Sequence, residues 1–125
     1  MLTFDFSGEE FIDEQEIRSC TSEPLLAGKE FEVLLPSNPS TGYVWRVTGR
    51  PDGLLISKRQ FRGFSDDPEI VGGGGQEVFV LSCEHDLPNG ATLEMRKMRP
   101  WMGPQDSDPK LILVLGDSVD RYYQN

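Results

Sequence analysis

Phe31-Glu32-Val33-Leu34-Leu35-Pro36-Ser37-Asn38-Pro39-Ser40-Thr41-Gly42-Tyr43-Val44-Trp45-Arg46-Val47 decides the architecture of this chain. Two strand-like runs flank one break. Phe31-Glu32-Val33-Leu34-Leu35 is the first, and Tyr43-Val44-Trp45-Arg46-Val47 the second. In the second, Tyr43, Trp45 and Val47 share one face, the period of two expected of a half-buried strand. The residues between, Pro36 to Ser40, include two prolines and an asparagine and break the chain.

The same alternation of runs and breaks continues on the C-terminal side. Leu54-Leu55-Ile56-Ser57-Lys58-Arg59-Gln60-Phe61, Glu77-Val78-Phe79-Val80-Leu81-Ser82-Cys83, Ala91-Thr92-Leu93-Glu94-Met95-Arg96-Lys97-Met98 and Leu111-Ile112-Leu113-Val114-Leu115 all read as strands. The breaks are rich in Gly, Pro, Asn and Asp. Pro88-Asn89-Gly90 reads as a tight hairpin turn. Gly72, Gly73, Gly74 and Gly75 form a run that a strand or helix interior would not tolerate. Only the acidic stretch 9–17 is compatible with a short helix. Short strands with regularly spaced turns predict an all-β, antiparallel Greek-key sandwich, with alternate loops gathered at one end.

A length of 125 residues suits a single domain with one core. No apolar run approaches the roughly 20 residues of a membrane-spanning helix. The net charge of -9 disfavours nucleic acid and anionic membranes as partners. Cys20 and Cys83 are too few for a disulfide framework and lack metal or redox spacing, so free buried thiols are expected, with a bridge left open. The N-terminus, Met1-Leu2-Thr3-Phe4-Asp5-Phe6, has no basic segment, apolar stretch or cleavage site. As given, the chain is expected to be cytoplasmic, or periplasmic, lysosomal or secreted if a presequence has been removed.

Little in the sequence suits catalysis, and no cofactor or metal is expected. His85, the sole histidine, lies between Glu84 and Asp86 and reads as a surface residue. No Gly-x-Ser-x-Gly elbow accompanies it. The glycine run is followed by Gln76-Glu77, not by the Lys-Ser or Lys-Thr of a phosphate loop. What remains is loop chemistry suited to binding. Trp101 lies in Arg99-Pro100-Trp101-Met102-Gly103-Pro104, too rich in proline for a strand. It is either a contact residue, the kind enriched at interface hot spots, or a side chain folded back over the sandwich end.

Asn38-Pro39-Ser40-Thr41-Gly42-Tyr43-Val44-Trp45 resembles the Asn-Pro-Thr-Thr-Gly-Tyr/Phe-x-Trp signature of the chagasin family of cysteine protease inhibitors. Val71-Gly72-Gly73-Gly74-Gly75 resembles that family's Gly-x-Gly-Gly motif after an apolar residue, and Arg99-Pro100-Trp101 its Arg-Pro-Trp/Phe motif. Order and rough spacing agree, over about residues 25–116. Ser40 stands where Thr is usual, Gly73 fills the variable position, and Lys97-Met98 precede Arg99 where an aromatic is usual.

The resemblance implies an immunoglobulin-like β-sandwich. It also implies reversible, competitive, non-covalent inhibition of papain-like cysteine proteases by a monomer that is not an enzyme. The protease-binding residues would then be Asn38, Pro39, Ser40, Thr41 and Gly42 centrally, flanked by Val71, Gly72, Gly73, Gly74 and Gly75 and by Arg99, Pro100 and Trp101. Pro39 would limit the loop entropy lost on binding, and bare glycine backbone would lie against a protease wall. The competing expectation is an immunoglobulin-like adhesion or binding module with a partner that is not a protease.

Overall fold

The computed structural model describes residues 2–11, 15–20, 23–38, 41–63 and 74–115. In chain order the strands are β1 (Leu2–Asp5), β2 (Glu16–Cys20), β3 (Glu30–Ser37), β4 (Val44–Gly49), β5 (Leu54–Gly63), β6 (Gly75–Cys83), β7 (Ala91–Met98) and β8 (Lys110–Leu115). They form two four-stranded sheets, β1-β3-β6-β5 and β2-β8-β7-β4. Seven of these strands reproduce the two-sheet order of an immunoglobulin-like sandwich, and β2 is added at the β8 edge.

The core follows from alternation. Phe31, Val33 and Leu35 of β3, Leu93 and Met95 of β7, and Leu111, Leu113 and Leu115 of β8 are all 0% exposed. Their polar neighbours Glu32, Glu94 and Lys110 are only half-buried. Trp45 enters the same core at 0% exposure and meets Phe11 edge to face at 4.8 Å. Among the described residues twelve large side chains are essentially fully buried. At about 1.5–3 kcal/mol each, they outweigh the roughly 3 kcal/mol of a typical disulfide. Both cysteines are free, so the core holds without a bridge.

Three sequence expectations change. The acidic stretch contains no helix among its described residues: 9–11 are irregular, and Glu16 and Ile17 open β2. Pro88-Asn89-Gly90 does form a turn, with the Ala91 N–H donating to the Pro88 carbonyl at 3.1 Å and Gly90 at φ 89°. It is no hairpin, however, because β6 and β7 belong to different sheets. Pairing is antiparallel except at two edges, where β1 runs parallel to β3 and β2 parallel to β8.

Those parallel edges have a topological cause. β1 ascends beside β3, and β2 descends beside β8, so the connection between them crosses the sandwich at the end where β3 finishes and β8 begins. Phe6 N–H donates to the Leu34 carbonyl, and Lys110 N–H to the Gln15 carbonyl, fixing the two ends of that crossing.

Burial separates the two thiols. Cys83 is buried in β6, and the loss of solvent raises its pKa above the usual thiol value. Cys20 is only half-buried on the edge strand β2. Since a raised pKa means less thiolate at any given pH, native protein at pH 8 should take up one equivalent of iodoacetamide, at Cys20. Cys83 should react only after unfolding. Peptide mapping of the alkylated chain checks this, and rapid native labelling of Cys83 would contradict it.

Candidate binding end

Strand registers collect three loops at one end. Ser37, the last residue of β3, pairs with Gly75, the first of β6, and Gly75 also pairs with Gly63, the last of β5. In the other sheet Val44 opens β4 opposite Met98, which closes β7. The two sheets are tied at this level by the Trp45 indole N–H, which donates to the Pro36 carbonyl at 2.9 Å. The strand ends that bound 38–43, 64–74 and 99–109 therefore lie at one end of the sandwich.

The 38–43 loop is organised by its own residues. Thr41 donates to the Asn38 carbonyl twice, from its N–H at 3.1 Å and from Oγ1 at 2.8 Å. Its hydroxyl also accepts from the Tyr43 N–H at 3.4 Å. The hydroxyl thus closes the loop on itself. Gly42 has φ 82°, the left-handed region that an L side chain rarely adopts. Asn38 is half-buried. Pro39 and Ser40 lie outside the described residues.

Arg99, Pro100 and Trp101 open the 99–109 loop. Pro100–Met102 form a single 3-10 turn in which Met102 N–H donates to the Arg99 carbonyl at 3.1 Å. Proline's fixed φ suits that first position. The loop is cross-braced behind the turn: Gln105 Nε2 donates to the Met102 carbonyl, Gln105 N–H to buried Asp108 Oδ2 at 2.7 Å, and Arg96 Nη1 to the Gln105 carbonyl. Met98, which leads into the turn, is buried at 6% exposure. The turn thus holds Trp101 at 71% and Met102 at 51% exposure, on a stiff support.

Two contacts join these loops. A Cβ on Gly42 would stand 2.7 Å from the Trp101 ring, so the indole lies directly against the glycine. The Arg99 guanidinium sits 4.6 Å above the Tyr43 ring centre, a cation–π contact. Arg99 Nε is buried without a hydrogen-bond partner, and a cavity of about 180 Å³ opens beside it, lined in part by Tyr43, Met102 and Gly103. Of the two readings of Trp101, the side chain is neither folded into the core nor free of the fold: it leans on Gly42 and keeps most of its surface open.

Of the glycine-rich stretch, Val71, Gly72 and Gly73 lie outside the described residues. Gly74 is exposed. Gly75, expected in a loop, is the buried first residue of β6. A Cβ there would collide with the Arg62 carbonyl and lie 2.7 Å from the Phe61 ring. A strand tolerates this glycine because the Phe61 ring of the neighbouring strand covers it.

His85 is exposed and rests against Gly53, at the opposite end of the sandwich. Among the described residues no group of His, Cys, Asp or Glu is arranged to hold a metal ion. The sequence did not single out Glu77, buried at 5% exposure behind the loops; a charged residue two places after a glycine run and within an apolar strand was the available signal.

An immunoglobulin-like sandwich presenting braced, aromatic-bearing loops at one end defines a binding protein. Over residues 25–113 the chain matches the family described as Chagasin family peptidase inhibitor I42, and it belongs to that family. Chagasin of Trypanosoma cruzi is 29% identical over 92 residues, covering 70% of this chain and 81% of chagasin. Solved structures of other proteins share the fold, three of them as follows. A cysteine protease inhibitor of Entamoeba histolytica is 19% identical with a TM-score of 0.55, covering 91% of this chain and 94% of its own. PbICP-C, solved in complex with falcipain-2, is 16% identical with a TM-score of 0.61, covering 94% and 100%. Leishmania mexicana ICP is 23% identical with a TM-score of 0.59, covering 83% and 90%. The family consists of peptidase inhibitors, not enzymes.

Proposed function

We propose that this chain inhibits papain-like cysteine proteases by inserting the loop end of the sandwich into the active-site cleft, reversibly and without covalent chemistry. The observation that carries the reading is Trp101, 71% exposed on a braced turn and seated against Gly42 of the neighbouring loop. A rigid aromatic with its ordering already completed in the free protein loses little entropy on binding. The family match supports inhibition over an adhesion role. An interface of standard size, about 800 Å² per partner, would span the three loops. Asn38, Pro39, Ser40, Thr41 and Gly42 would lie centrally, with Val71, Gly72, Gly73 and Gly74 on one side and Arg99, Pro100 and Trp101 on the other; Gly75, buried in β6, would support its loop from behind.

Titration against papain tests the proposal. Activity should fall competitively with substrate and return in full on dissociation, with the inhibitor intact by mass spectrometry. Stoichiometric cleavage within residues 38–42 would replace this mechanism with a substrate-like one.

Within the central loop, Thr41→Ala removes the two Oγ1 bonds that close the turn. The expected loss of affinity is on the order of 1 kcal/mol, the net worth of one ordinary hydrogen bond. It should arise from a looser free loop. Faster backbone motion of Gly42 and Tyr43 in NMR relaxation should therefore accompany weaker inhibition.

A further inference from the structure

We propose that Glu77 is a positioning residue for inhibition, locking the stem of the 38–43 loop to the strands on both sides of the glycine-rich loop. The role rests on the inhibitory reading above.

The geometry is specific. Glu77 lies on β6, two residues after Gly75, in register with Leu35 of β3 and Phe61 of β5. Its carboxylate is buried and both oxygens are used. Oε2 accepts from the Trp45 backbone N–H at 3.0 Å. Oε1 accepts from Arg59 Nε at 3.2 Å and Nη2 at 2.8 Å. Among the described residues β4 is the outer strand of its sheet, so on that side the Trp45 N–H meets the Glu77 carboxylate and not a neighbouring described strand. Arg59 belongs to β5 and also lies over the Phe79 ring, 5.5 Å from its centre. One carboxylate thus joins β6, β5 and β4. The Trp45 indole bond to Pro36 brings in β3.

Stability alone does not call for this arrangement. A buried ion pair commonly contributes no more than a well-packed apolar substitute would, because both charges lose their water. What a carboxylate offers is two acceptor oxygens for two sets of donors that approach from different sheets. Glutamine, of the same shape, offers one acceptor and one donor. In Glu77→Gln either Trp45 N–H or Arg59 must face an amide N–H, and one of the two links opens.

The test combines amide spectra, binding kinetics and thermal melts of Glu77→Gln and Arg59→Gln. In Glu77→Gln the amide signals of Thr41, Gly42, Tyr43 and Gly74 should move, while those of Gly28, Gly53 and Gly90 at the far end stay in place. At a temperature where the variant is fully folded, papain should dissociate about ten-fold faster, with little change in association rate. Arg59→Gln should do the same more weakly, about two-fold, because Arg59 is partly exposed and water can replace it. A lowered melting temperature with unmoved loop amides and an unchanged dissociation rate would mean Glu77 serves stability alone and would overturn the proposal. If Glu77→Gln does not fold, Arg59→Gln decides by the same two readouts. A wild-type chain that fails to inhibit papain would sink the inhibitory reading, whereas the loop amides judge the coupling independently.

Discussion

Trp101→Ala is expected to weaken protease binding by about 2–4 kcal/mol, more than any other single change at the loop end. The size follows from what the side chain leaves uncovered. Trp101 is 71% exposed in the free protein, so most of its surface is available to a partner. Large aromatics bury about 150–250 Å² each, and roughly 140 Å² at about 25 cal/mol per Å² gives about 3.5 kcal/mol. The entropy of ordering it is already spent. Its turn is hydrogen-bonded at Met102 and Gly103, and its ring rests on Gly42. The fold should survive, because Trp101 makes no contribution to the core cluster. The loss should appear as faster dissociation, and Trp101→Phe should recover part of it. Surface plasmon resonance against papain, with circular dichroism as a control for folding, measures both. Wild-type kinetics in a folded Trp101→Ala variant would remove the 99–109 loop from the interface.

Gly75→Ala is expected to be the most damaging of the glycine substitutions, and to damage the fold before the interface. Its Cβ has nowhere to go: the Arg62 carbonyl and the Phe61 ring already occupy that space. A flexible side-chain tip would yield cheaply, but the carbonyl belongs to the backbone of β5, paired with β6 on either side of the collision. Relief requires β5 and β6 to separate at Gly63 and Gly75. Overpacking of this kind costs about 1–3 kcal/mol, and a backbone obstacle places it near the upper end. The melting temperature should fall by on the order of 10 °C. Gly74→Ala, one residue earlier and exposed, should leave it nearly unchanged. Equal melting temperatures for the two variants would show that the strands part without cost.

The sequence alone determined the strand core and the place of the loops. The apolar runs beginning at Phe31, Leu54 and Leu111, and those through Trp45, Phe79 and Met95, form strands because alternation encodes which face is buried, and burial supplies most of the driving force. Family membership was legible for a related reason: its three motifs are contiguous in the chain, so spacing suffices to find them. β1 was not among the strands read from the sequence, although Leu2 and Phe4 alternate there. β2 carried no such alternation, since Ile17 is its single strongly apolar residue, and an edge strand can be mostly polar.

Only tertiary structure decided how the loops are held. That Thr41 bonds its own loop, that Gly42 is where an indole rests, and that Arg99 stacks on Tyr43 instead of standing free are matters of atoms distant in sequence or of loop conformation. The same holds for Gly75, whose need to be glycine comes from a carbonyl thirteen positions back in the chain, at Arg62. It holds most of all for Glu77, a charge in a strand whose two partners come from different sheets. Periodicity records which residues leave water. It carries no record of which buried donor meets which acceptor, because that pairing exists only once the two sheets have closed on each other.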